Sequence, residues 1–362
     1  MSDQTIKQFV FHKGAAQRTP VSGTFELTPR CNLSCKMCYV HMSPEEQART
    51  GKELTAEQWI QLGRDAVDQG MIYLLLTGGE PLLRPDFVEI YSALIQMGLL
   101  ISVNTNGTLL TREIIDCFQK FRPEKVNVTL YGTSAETYGA LCGNARGFEA
   151  AVRGVRMLKD AGIRVNLNTT FTRYNLDDMD AIIDFAKSEK IPVRMSSYIF
   201  PPVRNQHAPD PLNLSAEEQG RAAAYFDLAT MDDEQRAKRK NYIRNLVDGK
   251  NDTKDIPESK VSSCMAGRGA FWISWDGNMY PCGMLSDFSQ DVLNQEFRVA
   301  WHNTCESVKT MLLPAECSAC QYAPICATCA AVSQSTHGAT NIVVGQMCER
   351  TKAYAKAFLL EN

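Results

Sequence analysis

The chain has little that would carry it into a membrane or onto a polyanion. Its longest apolar run, MIYLLL at 71–76, is about a third of a membrane span. The stretch 1–20 lacks the apolar core of a signal peptide. A formal net charge of −3 offers no basic field for nucleic acid. We therefore predict a cytoplasmic protein with neither a membrane nor a nucleic-acid partner.

Cysteine, by contrast, is abundant. The 362 residues include 13 cysteines, an odd number that cannot all pair with one another, and a reducing cytoplasm does not favour disulfides. Three of them lie early, at Cys31, Cys35 and Cys38. Seven lie late, at Cys264, Cys282, Cys317, Cys320, Cys326, Cys329 and Cys348. Two such groups favour bound metal over disulfides.

From residue 22 to about 200, short apolar strands alternate with amphipathic helices, which predicts repeated βα units and a parallel sheet. Six strands are predicted, from GTFELT at 23–28 to VRMSSYIF at 193–200. The helix after the first strand is expected to begin at Thr55 as N-cap and to end at Gly70. Six strands suit a partial (β/α)6 barrel, although periodicity alone leaves an open doubly wound sheet as the alternative.

Breaks in this rhythm predict the domain organisation. Residues 1–21 form a lead-in, and 22–200 form the barrel. A proline-rich stretch, one long polar helix and a polar linker fill 201–260. Residues 261–350 are cysteine-rich and short of long apolar stretches, so their stability is expected to depend on metal. Residues 351–362 form a C-terminal tail.

The early cysteines have the spacing CxxxCxxC in RCNLSCKMCYVHM, directly after the first predicted strand. Three thiolates can ligate three irons of a [4Fe–4S] cube and leave the fourth iron open to a substrate or cofactor. A cluster that only transfers electrons would normally be closed by a fourth cysteine. On spacing alone, a zinc site with His41 as the fourth ligand is the alternative.

A second motif follows in LTGGEPLLRPDF, where Gly78 and Gly79 end the second strand and let backbone approach a ligand without a Cβ. The cysteine loop, the aromatic Tyr39 and GGEP, in that order, resemble the radical S-adenosylmethionine (SAM) superfamily. The resemblance implies an α/β fold, a partial (β/α)6 TIM-like barrel with a smaller C-terminal cysteine-rich Fe–S domain. It also implies SAM on the open iron, cleaved by one electron into methionine and a 5′-deoxyadenosyl radical that abstracts a substrate hydrogen.

The resemblance assigns the cofactor contacts residue by residue. The implied cofactor-binding positions are Tyr39, Gly78, Gly79, Glu80, Asn104, Asn106 and Thr129. Glu80 would act as the charged acceptor for the SAM amino group. Asn104 and Asn106 fall where family members contact the ribose and methionine moieties, and Thr129 has the equivalent position on the next strand. Polar capping of strand ends is the alternative for these last three residues.

The late cysteines resemble the SPASM extension, a twitch-type domain that houses two auxiliary Fe–S clusters in radical SAM enzymes. By analogy, Cys317, Cys320, Cys326 and Cys348 bind the cluster farther from SAM, and Cys264, Cys282 and Cys329 bind the nearer one. The remaining position of the nearer cluster would be open to substrate or filled by a non-cysteine group or Cys305. The cysteine run of the SPASM extension usually ends in CxxxC, whereas Cys326 and Cys329 here have the spacing CxxC. Two zinc sites are the alternative.

Auxiliary clusters would supply or remove single electrons, which suits a reaction that ends in oxidation. We expect a radical SAM oxidoreductase that modifies a peptide or protein, with a reductase such as flavodoxin or ferredoxin as partner. Recognition of the peptide would use a separate protein or none. Sulfatase-maturing relatives place an aspartate base directly after the cysteine equivalent to Cys282, and Gly283 here argues against formylglycine formation. No catalytic acid or base is predicted.

Two alternatives to the peptide substrate remain. The same radical chemistry suits oxidation of a small molecule or decarboxylation of the propionates of a haem precursor. Basic residues at the pocket mouth would favour the haem precursor, and Arg84, Arg146, Arg194 and Arg204 are available. An alternative of another class is a non-catalytic Fe–S electron carrier, which would need neither an open iron nor the GGEP strand end.

Overall fold

The computed structural model describes residues 3–200, 212–250 and 264–360, and six parallel strands form the first part of its sheet. These strands are β1 (Ser22–Glu26), β2 (Tyr73–Thr77), β3 (Leu100–Thr105), β4 (Lys125–Thr129), β5 (Val165–Thr170) and β6 (Val193–Ser196). Each lies parallel to the next along the chain. The six-strand prediction is confirmed.

The chain begins with α1 (Asp3–Gln17), whose Phe11 packs on Tyr73 of β2. The helices that follow β1 connect the strands and cover one face of the sheet. They are α2 (Pro44–Thr50), α3 (Ala56–Asp68), α4 (Phe87–Gln96), α5 (Arg112–Lys120), α6 (Ala135–Cys142), α7 (Gly147–Asp160) and α8 (Met179–Ser188). In α3, Thr55 and Gln58 form a reciprocal capping box, with Gln58 N donating to Thr55 Oγ1 over 3.3 Å. Trp59 and Leu62 are buried against the sheet, and Gly70 follows at φ 100°. The predicted N-cap and end of this helix are confirmed.

The two faces of the sheet differ in polarity because successive side chains on a strand point to opposite faces. The helix-covered face of β3, β4 and β5 carries buried apolar residues such as Val103, Val126 and Leu167. The opposite, inner face carries polar residues, namely Ser102, Asn104, Lys125, Asn127, Thr129, Asn166, Asn168, Thr170, Arg194 and Ser196. A polar inner face of this extent suits a cavity that binds a polar ligand.

The later part of the chain extends the same sheet. Its strands are β7 (Ala270–Ile273), β8 (Asn278–Tyr280) and β9 (Gln290–Asp291), and its helices are α9 (Ala216–Thr230), α10 (Asp233–Val247), α11 (Phe297–Ser307), α12 (Ala315–Ser318), α13 (Ala330–His337) and α14 (Gly345–Leu360). β7 pairs parallel with β1, and β8 and β9 follow antiparallel. The strand order β6-β5-β4-β3-β2-β1-β7-β8-β9 is open, with edges at β6 and β9. The open partial barrel is therefore confirmed.

The single long helix predicted within 201–260 is wrong, since two helices occupy its place. Met231 is extended, and the Asp232 side chain accepts a hydrogen bond from Gln235 N as the N-cap of α10. The expected tail 351–362 is helical as far as Leu360, because α14 runs through it and packs on α9. The division into domains stays a prediction. Among the described residues, no helix combines the length and apolar character needed to cross a membrane.

Candidate cofactor-binding site

A cavity of about 330 Å³ lies at the carboxyl ends of the parallel strands. Of the predicted site residues, it brings together Cys31, Cys35, Cys38, Tyr39, Gly78, Gly79, Asn104, Asn106 and Thr129. Asn168, Thr170 and Phe200 also line it, and the sequence motifs did not mark them. The alternation of polar residues on the fifth strand is the signal that could have found the first two.

Gly78 and Gly79 let the loop after β2 approach the backbone that leads into the cysteine loop. Gly79 N donates to Thr28 O over 2.7 Å, and Glu80 N donates to Arg30 O over 2.8 Å. A Cβ on Gly79 would lie 2.3 Å from Arg30 O, and one on Gly78 would lie 2.7 Å from Thr28 O. The glycines therefore fix the cysteine loop against the second strand, in addition to lining the cavity.

Glu80 is fully buried and does not belong to the cavity lining. Its carboxylate accepts hydrogen bonds from Leu82 N at 3.0 Å, Thr105 Oγ1 at 2.8 Å and Asn106 N at 2.7 Å. Burial raises the pKa of this carboxyl to about 7 against the pull of these donors. Glu80 thus holds the end of β3 to the loop after β2, and its contact with the SAM amino group stays a prediction.

The two asparagines on β3 and its following loop are held by other side chains. Asn106 Nδ2 donates to Asn32 Oδ1 over 2.8 Å and lies 3.8 Å from Cys31 Sγ. Asn104 Oδ1 accepts from Asn127 Nδ2 over 2.8 Å on the inner face. Asn106 therefore joins β3 to the cysteine loop, and the SAM contacts of both asparagines and of Thr129 stay predictions.

Burial shapes the chemistry of the three early cysteines. It raises the pKa of Cys31 to about 12 and that of Cys38 to about 11, because a thiolate loses solvation there. Backbone N–H groups partly offset this, with Leu33 N 3.4 Å from Cys31 Sγ and His41 N 3.2 Å from Cys38 Sγ. Half-buried thiols beside hydrogen-bond donors fit an iron–sulfur cluster, whose positively charged core would stabilise the thiolates.

The carboxyl end of α6 supports the middle of the cysteine loop, a feature the sequence patterns did not predict. Ser34 N donates to Cys142 O and Lys36 N donates to Leu141 O, each over 3.0 Å. These carbonyls are the unpaired acceptors at a helix end. The Cys142 side chain hydrogen-bonds Cys35, and this contact is the largest cause of a raised Cys35 pKa, followed by burial. A fourth thiol therefore adjoins the site as a neighbour of Cys35.

The late cysteines form a second grouping. A cavity of about 140 Å³ is lined by Cys317, Cys320, Cys326 and Cys348, the four assigned by analogy to the farther cluster. Cys282 and Cys329 pack against one apolar group that includes Leu285, while Cys264 is exposed. Cys305 is buried in the main core instead. In the described ranges, no three His, Cys, Asp or Glu side chains converge on a point as ligands of one metal ion would. The cluster assignments stay predictions.

An aromatic pair links the two groupings. Tyr198 and Phe200 both line the larger cavity, and their rings meet edge to face with centroids 5.0 Å apart. Phe200 also packs against the apolar group that contacts Cys282 and Cys329. The part of the cavity wall that Phe200 forms therefore adjoins the apolar group that contacts Cys282 and Cys329, two of the cysteines assigned to the nearer auxiliary cluster.

The four arginines considered for the pocket mouth have different positions. Arg84 is buried and donates to two backbone carbonyls and to Asp86, so its placement at the mouth is wrong. Arg146 is exposed at the start of α7, and Arg194 is exposed on β6. Arg204 lies outside the described residues. Arg194 alone of the three described arginines lies on the inner face of the sheet.

Known proteins resemble this chain in sequence and in fold. Residues 25–186 match the model of the Radical SAM superfamily. An AdoMet-dependent heme synthase of Methanosarcina barkeri is 28% identical, over 87% of this chain and 92% of its own length. A PqqA peptide cyclase of Ruegeria pomeroyi is 32% identical, over 46% of this chain and 44% of its own. Streptococcus suis SuiB, bound to its precursor peptide SuiA, has the same fold with a TM-score of 0.71, at 15% identity over 95% of this chain and 80% of its own.

Proposed function

Because this chain is a radical SAM enzyme with a SPASM-type cysteine-rich region, we propose that it oxidatively decarboxylates propionate side chains of a haem precursor. The superfamily is one of enzymes, which argues against the electron-carrier alternative. Decarboxylation of a haem precursor is here preferred over modification of a peptide because the heme synthase relative matches this chain over nearly the full length of both.

Cys31, Cys35 and Cys38 would hold the SAM-binding [4Fe–4S] cluster, since they line one cavity together with Gly78 and Gly79. When bound and reduced, this cluster supplies the electron that cleaves SAM into methionine and the hydrogen-abstracting 5′-deoxyadenosyl radical. The chain's own residues contribute by positioning the cluster, SAM and the substrate. The loops after β1, β2 and β3 are joined by backbone and side-chain hydrogen bonds, so that the cavity keeps its shape when ligands enter.

The observation that carries the proposal is the single cavity that runs from the cysteine loop to Phe200, beside Cys282 and Cys329. Loss of a hydrogen atom and of CO2 from a propionate gives a vinyl group and leaves one electron to be removed. The electron acceptor would be the nearer auxiliary cluster, for which these two cysteines are the proposed ligands. Phe200 lines the cavity and packs against the same apolar groups as Cys329.

A peptide or protein is the second candidate substrate. The peptide cyclase relative supports it, with a match over about half of this chain. The separate recognition protein and the flavodoxin or ferredoxin reductase stay proposals with it, as do the two auxiliary clusters and a cytoplasmic location.

Anaerobic reconstitution tests the proposal. About twelve irons per chain, the content of three cubic clusters, are expected together with 5′-deoxyadenosine after dithionite and SAM are added. Iron coproporphyrin, which carries propionates, should yield vinyl products and CO2. The Cys31→Ala variant should form no 5′-deoxyadenosine, whereas Cys117→Ala, on α5, is the matched control that should retain it. SAM cleavage with an unchanged porphyrin would refute the haem precursor, and zinc without iron would refute the radical function.

A further inference from the structure

We propose that Lys125, Arg164 and Arg194 form a binding site for substrate carboxylates on the inner face of the sheet. The proposal rests on the proposed function, because a haem precursor presents propionates that need cationic partners. Lys125 lies on β4, Arg164 directly precedes β5 and Arg194 lies on β6. These three strands are adjacent in the sheet. Arginine and lysine bind carboxylates through charge-assisted hydrogen bonds.

Strand register places the three cations on the face that forms the cavity wall. Asn168 lines the cavity, and Arg194 is its direct partner on β6, so both side chains point to the same face. Lys125 is two residues before Asn127 on that same face of β4. Val126 pairs with Val165, which sets Arg164 beside Lys125. Arg164 lies four residues before Asn168, which is roughly 13 Å of strand below the cavity wall.

The chain balances the charge of this surface only in part, because Glu124 acts on Lys125 against three neighbouring cations. Within the described ranges, none of the three cations has an ion pair with a carboxylate. The carboxylate that acts on Lys125, Glu124, also accepts hydrogen bonds from Lys7 Nζ at 3.0 Å and from Ser102 Oγ at 2.9 Å. Burial and the neighbouring Lys7, Arg194 and Arg164 lower the pKa of Lys125, although Glu124 opposes them. An entering anion would relieve this repulsion.

The site is open to a ligand. Helix α1 packs at this end of the barrel, where Phe11 contacts Tyr73 of β2 with ring centroids 5.2 Å apart and Lys7 reaches Glu124 beside Lys125. Arg164 and Arg194 are exposed and Lys125 is half-buried. β6 is an edge of the sheet, so a substrate can enter beside Arg194. Its carboxylates would then rest on the cations while its reacting carbon reaches the cavity near Thr129 and Asn168.

Binding of metal-free coproporphyrin III to the reconstituted enzyme, followed by porphyrin fluorescence, tests the site without turnover. Lys125→Gln, Arg164→Gln and Arg194→Gln are each expected to raise Kd about tenfold or more, as loss of a charged hydrogen bond would. Arg153→Gln and Lys187→Gln remove equal charge from exposed positions on α7 and α8 and should bind like the unaltered chain. Iron content and circular dichroism report whether each variant folds.

Two further measurements test whether the change in affinity is specific to the substrate carboxylates. The tetramethyl ester of coproporphyrin III has the same ring without carboxylates, so its binding should not respond to the substitutions. Arg194→Lys keeps the charge and should retain most of the affinity that Arg194→Gln loses. Equal binding by the Gln variants and the unaltered chain, or an equal response of acid and ester, would overturn the site.

The outcome for the site is separable from that for the proposed function. If the unaltered chain ignores coproporphyrin III but binds a glutamate-rich peptide through the same three cations, the haem precursor is wrong and the carboxylate site stands. If SAM is not cleaved yet porphyrin binding depends on the cations, the radical function is wrong and the site stands. If neither ligand depends on the cations, the site is wrong whatever happens to SAM.

Discussion

Replacing Gly79 by alanine should detach the cysteine loop from the second strand. The added Cβ would lie 2.3 Å from Arg30 O, 2.7 Å from Arg30 C and 2.9 Å from Pro29 O, all of them backbone atoms. Ordinary contact begins near 3.4 Å, so one loop must retreat by roughly 1 Å. That movement breaks or lengthens the bonds from Gly79 N to Thr28 O and from Glu80 N to Arg30 O.

Each of these two bonds leaves a donor without its partner when broken, at a cost of about 1–3 kcal/mol. A loss of about 2–5 kcal/mol of free energy of unfolding is therefore expected for Gly79→Ala. The displaced residues, Pro29 and Arg30, directly precede Cys31, so iron bound at the early site should also fall.

The assay is iron and sulfide content after reconstitution, together with thermal unfolding and 5′-deoxyadenosine formation. Gly345→Ala is the matched control, because no atom lies within 4 Å of the Cβ it would add. If Gly79→Ala took up as much iron and unfolded at the same temperature as the Gly345→Ala variant, the close approach of the two loops would not hold the cysteine loop.

Three other predictions concern groups around the sites. Cys142→Ala removes a hydrogen bond to Cys35 and should make the reduction potential of the early cluster more negative, whereas Cys117→Ala should not; equal potentials in a redox titration would contradict this. Burial raises the pKa of Glu80 from the ordinary 4.5 to about 7, so the folded chain keeps a proton that the unfolded chain releases. The free energy of unfolding should then fall by up to about 3 kcal/mol as pH rises between these values, and Glu80→Gln should remove this slope in urea unfolding of the cluster-free chain; the same slope in both would be the refuting result. Cys348→Ala should lower iron by about four per chain, one cubic cluster, and unchanged iron would remove Cys348 from the ligand set.

Local patterns predicted the elements whose signals are local. The capping box at Thr55 and Gln58, and the six strands with their turn residues, depend on neighbours in the sequence, and all are present. The break between α9 and α10 has a local signal as well, since Asp232 is followed three residues later by Gln235. The uniformly polar, helix-favouring composition around it hid that cap.

Pairings between distant segments left no such signal. β7 joins β1 across more than two hundred residues, and its four residues are too short to show a period. Gly220 illustrates the same point, since its missing Cβ lets α9 approach Arg350 O on α14. Such contacts are set by tertiary packing, which a single sequence does not display.

The residues of the candidate site fall into the same two groups, those with a local sequence signal and those without one. The cysteine spacing and the two glycines are compact motifs, and their convergence on one cavity was predictable. The burial of Glu80, the support of the cysteine loop by α6 and the internal position of Arg84 each require knowing which loops meet. Some polar residues near the motifs, such as Glu80 and Asn106, also hold the loops together, and their contacts with the ligand stay predictions.

The inner face of β3, β4 and β5 shows how polar residues can be reconciled with a buried sheet. Strands of a parallel sheet buried on both faces are ordinarily apolar throughout. Here Asn104, Asn127 and Asn166 occupy the same level on adjacent strands and hydrogen-bond in series, at 2.8 Å and 3.4 Å. The three asparagines therefore supply hydrogen-bond partners for one another. Above it the polar side chains of Thr129 and Asn168 face the cavity, where buried polar groups need partners that a bound ligand would provide. The polar alternation in these strands is therefore best explained as a surface built for a ligand.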